Sequence, residues 1–176
     1  MSSLASGIAN AFVANTLTQY IGCFVIAMIP LIELRGAIPI AHWFHSMNPE
    51  NFNLVFGYVV IALGNMLPVP IIFFFARKVL EWGKDKRFIG RFFSFCLEKG
   101  HKGGEKLQAK AGRGLFLALL LFVGIPLPGT GAWTGTLAAS ILDMKFRESV
   151  IAVMLGVVLA GIIMGLVSAG LFGAIL

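Results

Sequence analysis

The stretch Pro30-Leu-Ile-Glu-Leu-Arg-Gly-Ala-Ile-Pro39 sets Glu33 and Arg35 inside otherwise apolar sequence. A charge at membrane depth is costly, so it is normally paired, shielded from lipid and kept for a function. Pro30 and Pro39 each remove a backbone donor and Gly36 relaxes the chain, which reads as a break in any helix here. Broken backbone at membrane depth is tolerated only where protein or a water-filled cavity covers it. The stretch therefore reads as the tip of a re-entrant hairpin or a discontinuous helix, and as the functional site.

Composition agrees with a membrane setting. The chain has 176 residues, of which 58% are hydrophobic and 12% charged, with mean hydropathy +0.89, against about 25% charged in globular domains. The net charge of +6 is concentrated: residues 77–113 carry eleven Lys or Arg and four Asp or Glu, giving +7, and the remainder carries −1. Such a block marks a cytoplasmic loop rather than a nucleic-acid surface. Cys23 and Cys96 fall in different surroundings, so neither a disulfide nor a metal site is implied. Met1 to Asn10 has no Lys or Arg and does not read as a secretory signal.

Outward from the charged tip, residues 11–29 form an apolar run that is either a span or a descending arm, and residues 36–44 an arm of about 14 Å, half a bilayer. The loop 45–53 has no Lys or Arg and belongs outside, with His42 and His45 at the outer interface. Residues 54–76 make a span that runs inward, kinked by Pro68 and Pro70, and its Asn65 must find a partner. Residues 79–111 read as amphipathic helices on the inner surface. Residues 114–124 are again too short to cross, and 125–135, Ile-Pro-Leu-Pro-Gly-Thr-Gly-Ala-Trp-Thr-Gly, make a second break. Residues 149–176 supply a span back to the outside.

Each half thus reads arm, break, arm, loop, span, in opposite orientations. The expectation is an all-α integral membrane domain built as an inverted repeat of two re-entrant helical hairpins, each followed by a transmembrane helix. Its parts are a first repeat over 1–78, a cytoplasmic connector over 79–111 and a second repeat over 112–176, with both termini outside. The hairpin breaks are assigned to Pro30, Pro39, Pro126, Pro128 and Gly129.

The motifs Glu-Leu-Arg-Gly-Ala-Ile-Pro at 33–39 and Pro-Leu-Pro-Gly-Thr-Gly-Ala-Trp-Thr-Gly at 126–135 resemble those of the prokaryotic small multidrug export protein family, which is similar to the DedA superfamily. The resemblance implies a protein of the prokaryotic inner membrane with two re-entrant hairpins in inverted repeat. From its DedA side it also implies movement of lipids between leaflets, including recycling of undecaprenyl phosphate, by acidic and arginine residues near the hairpins. Glu33 and Arg35 match that chemistry, but there is no Arg or Lys between Gly114 and Lys145.

Glu33 and Arg35 admit a bland reading, a buried pair that neutralises itself. The functional reading divides their roles. Arg35 offers fixed donors for phosphate or carboxylate, while desolvation favours the protonated form of a carboxyl and makes Glu33 the candidate proton carrier. Helices starting near Gly36 and Gly131 would add backbone donors for an anion. Thr130, Trp133 and Thr134 are the second break's candidate substrate contacts, although its glycines equally suit a tight turn and close packing. No group offers a nucleophile beside a base, a metal site or a cofactor motif, so an enzyme is not expected. Three functions follow: a transporter of an amphiphilic anion such as a polyprenyl phosphate, a proton-coupled exporter of small hydrophobic drugs, and a non-transporting scaffold in contact with membrane lipids. The stripe Gly161-Ile-Ile-Met-Gly165 suits either a homodimer contact or a face packed on the chain's own hairpins.

Overall fold

The computed structural model describes residues 15–83 and 114–175, and these are helical throughout apart from short connections. The amphipathic helices expected over 79–111 lie, from residue 84 on, outside the described residues. Two stretches, Leu54–Ala76 and Phe146–Leu171, are long and apolar enough to cross a membrane.

Two compact units divide the chain, one from Met1–Asn65 with Gly161–Leu176 and one from Met66–Ala160. In the first unit, α1 (Thr16–Met28) begins where the Asn15 side chain accepts a hydrogen bond from the Leu17 amide at 2.9 Å, which satisfies a donor the first turn leaves unpaired. It folds back through Ile29–Ile32 onto α2 (Glu33–Met47), the two packing along their lengths. Small residues, Cys23 and Ala27 on α1 and Ala37 and Ala41 on α2, are fully buried, and small side chains let helices approach without a solvent-driven term to hold them. At about 1.5 Å per residue neither helix reaches across a core of about 30 Å.

The position of Pro39 corrects the sequence reading. The helix starts at Glu33 and runs straight through Gly36 and Pro39, so neither is part of the break. Proline's fixed φ is itself helical, and the loss falls on one bond, the one Pro39 has no N–H to give to the Arg35 carbonyl. Burial of the α1–α2 face outweighs that cost.

α3 (Leu54–Met66) closes the first unit. Tyr20 stacks on buried Phe52 at 4.6 Å and accepts a hydrogen bond from the Asn53 amide at 2.8 Å, which fixes the start of α3 against α1. Further along, a β-carbon at Gly64 would stand 2.5 Å from the Phe24 carbonyl oxygen, so the two backbones meet there. The expected kink appears as an interruption at Leu67, before Pro68.

The second unit holds α4 (Pro68–Gly83), α5 (Gly114–Gly124), α6 (Ala132–Ile141) and the start of α7 (Phe146–Ile175). α6 lies along α4, where the buried Ser140 hydroxyl donates to the Phe73 carbonyl at 2.8 Å and Phe146 closes on Phe74 at 4.8 Å. α5 meets α6 at Gly135 and α7 at Gly156, each glycine seated against Val123. The remainder of α7 belongs to the first unit. There Gly161 faces Ile38, and a β-carbon at Gly165 would collide with the Tyr58 hydroxyl. Gly161 thus faces the hairpin helix α2 and Gly165 faces α3.

Candidate functional site

The first turn is built without glycine at its bends. Leu31 and Glu33 take φ of 70° and 50°, the left-handed region, where a side chain costs roughly 1–2 kcal/mol per residue. The Glu33 amide closes the turn onto the Ile29 carbonyl at 3.0 Å, and the Gly36 amide bonds the Ile32 carbonyl at 3.2 Å. A β-carbon at Gly36 would collide with the Ile32 side chain, so the third residue past the bend must be small. No side chain caps α2 at Ile32; its start is held by the backbone bonds of the turn itself.

Glu33 is 4% exposed, whereas Arg35 is half-buried.

Two turns further along α2, His42 Nε2 and the Tyr58 hydroxyl lie 3.0 Å apart, and it is this hydroxyl that occupies the space left by Gly165. His45 Nδ1 stands 2.8 Å from the Phe52 carbonyl, a contact that holds the loop after α2. Sequence reasoning placed both histidines at an interface and missed Tyr58, whose phenol carries no motif signal.

The second turn, Ile125–Gly131, uses glycine where the first does not. Gly129 has φ 83° and Gly131 φ 140°, and Gly131 is the N-cap of α6. The Thr130 hydroxyl sits within 2.9 Å of the Ile125 carbonyl and 2.8 Å of the Leu127 carbonyl and accepts from the Leu127 amide at 3.2 Å. Thr130 therefore braces its own loop. The Thr134 hydroxyl reaches the Gly131 carbonyl at 3.4 Å, and Trp133 is half-buried beside it. The sequence-assigned residues thus fall into two groups: Glu33, Arg35 and Gly36 in the first unit, and Thr130, Gly131, Trp133 and Thr134 in the second.

Compared with known families, residues 33–163 match the family described as "Putative small multi-drug export protein". The match begins at the buried glutamate. No curated protein and no solved structure matches the chain significantly.

Proposed function

The chain belongs to the small multi-drug export protein family, and on that premise we propose that it moves an amphiphilic anion across the membrane, held at the first turn by Arg35 and coupled to protons through Glu33. The observation that supports this is the start of α2, where no side chain caps the helix and a half-buried guanidinium stands in the first turn. Guanidinium and helix N-terminus both favour anions, and the guanidinium matches a phosphate in two-point geometry. A phosphate-bearing carrier lipid of the polyprenyl type is the substrate this chemistry suits best, since the flanking surface is apolar. In this reading Glu33, out of water, gains and loses a proton as the site is occupied and emptied. In this reading α1–α2 and α5–α6 are two re-entrant hairpins of an inverted repeat, consistent with lengths of 10 to 15 residues that fall short of a bilayer.

The family description favours a second reading, export of small hydrophobic cations with Glu33 as their counter-charge. The two are separated in proteoliposomes. For anion transport, Arg35→Ala abolishes movement of a fluorescent lipid phosphate, and Glu33→Gln leaves binding but removes its dependence on a pH gradient. Loss of a lipophilic cation's uptake in Glu33→Gln, with Arg35→Ala intact, would establish the cation reading instead. Indifference to both substitutions at matched expression would leave a scaffold.

A further inference from the structure

The exposed side of α4 carries a groove of about 340 Å³ lined by Pro70, Ile71, Phe74, Phe75 and Lys78. Ile71, Phe74, Phe75 and Lys78 follow the i, i+3, i+4, i+7 spacing of one helix face. The three apolar side chains are each more than half exposed, and Lys78 is exposed at the end of the row. The Phe74 ring rests on Phe146 at 4.8 Å, so one wall of the groove is held by the start of α7. All of these residues lie in the second unit.

The groove has a definite depth. The apolar stretch Leu54–Ala76 ends two residues before Lys78, and Trp82, more than half exposed, follows one turn later. Apolar run, lysine, tryptophan is the order in which hydrocarbon gives way to headgroups. From Pro70 to Lys78 a helix advances about 12 Å, close to the ~15 Å of hydrocarbon in one leaflet. The groove thus spans one leaflet and sets an ammonium group at headgroup level.

A groove in the first unit differs in one respect. It holds about 270 Å³ between Leu17, Tyr20, Ile21, Phe24, Phe56 and Val60, none of them charged, and the Tyr20 hydroxyl is engaged by the Asn53 backbone. Such a surface suits any acyl chain and has no means of telling headgroups apart.

We propose that the α4 groove holds an acyl chain of an acidic phospholipid whose phosphate meets Lys78, a resident lipid rather than cargo. Lysine is a compact charge with three donors and no acceptor. Phosphatidylcholine carries its own cation beside the phosphate, whereas phosphatidylglycerol has none and leaves a net negative charge for the lysine. One basic residue at a membrane surface is worth roughly 5-fold in affinity for an anionic lipid. A second copy seated through the same groove about a two-fold axis along the membrane normal would set lysine against lysine, so the groove's chemistry favours lipid.

Bromine quenches tryptophan only at short range, and Trp82 stands one turn from Lys78. The full chain is reconstituted in phosphatidylcholine vesicles containing a fraction of either dibrominated phosphatidylglycerol or dibrominated phosphatidylcholine. The phosphatidylglycerol is expected to quench as though enriched roughly 5-fold, and Trp82→Phe removes the difference between the two lipids. Lys78→Gln brings them to parity and Lys78→Arg keeps the preference. Arg147→Gln, at an exposed cation beside Phe146 but outside the lining, keeps it too. Parity in the wild type, or a preference that survives Lys78→Gln or Trp82→Phe, would overturn the site. Loss of the preference in Arg147→Gln would overturn it as well, by showing diffuse surface charge instead of a groove. Weak quenching by both lipids would mean that protein covers the groove. Glycerol phosphate, a headgroup without chains, is expected not to compete; recovery of fluorescence on its addition would mean a free-anion site and contradict the lipid assignment.

Discussion

The two hairpin turns solve one geometric problem with different residues. Both reverse a helix within a few residues and both need left-handed backbone, yet Ile125–Gly131 meets that need with Gly129 and Gly131, while the first turn meets it with Leu31 and Glu33. The second turn is also self-contained, its Thr130 hydroxyl consumed by carbonyls of the same loop. The first has no side-chain cap, buries a carboxyl group and exposes 79% of Leu31. Strain at non-glycine residues persists only where surrounding structure enforces it, and it gathers where a site must be held in an unrelaxed arrangement. This contrast supports the reading proposed above, with binding at the first turn and architecture at the second.

That assignment can be broken by stability measurements. The largest effect is expected at Gly131, whose φ of 140° with ψ of −175° lies in a region essentially restricted to glycine. Gly131→Ala should cost about 1–3 kcal/mol, read as a lowered apparent Tm in detergent. Next comes Thr130→Val, which keeps the shape but removes the brace and should cost about 1–2 kcal/mol. Smallest, and of opposite sign, is Leu31→Gly. Relief of left-handed strain exceeds the added freedom of the unfolded chain by about 0.5 kcal/mol, so the variant should be slightly more stable. A clear loss of stability in Leu31→Gly would mean that the first turn is not strained and would remove the contrast.

Much of this was legible in residue order. Pro30, Pro126, Pro128 and Gly129 fall in the turns where the sequence placed breaks, because proline and glycine act through their own backbone. Pro39 misled for the same reason read too strictly: its φ is compatible with a helix, and only packing on α1 decides whether one lost bond is tolerated. The helix start at Glu33, three residues before Gly36, was hidden because Leu31 and Glu33 supply left-handed backbone that side chains ordinarily avoid. Asn65 was legible as a polar group in need of a partner. The contact between His42 and Tyr58 leaves no pattern in either helix alone. The glycine pair 161 and 165 announced a close approach without naming what approaches.

The central claim is that the first turn binds and the second supports. It is tested most directly by the leaflet-to-leaflet movement of a fluorescent lipid phosphate in proteoliposomes carrying equal amounts of wild type, Arg35→Ala or Thr130→Val. The account predicts that Arg35→Ala falls to the protein-free rate while Thr130→Val, assayed below its lowered melting temperature, moves lipid at close to the wild-type rate. Full activity in Arg35→Ala together with loss in Thr130→Val would contradict it.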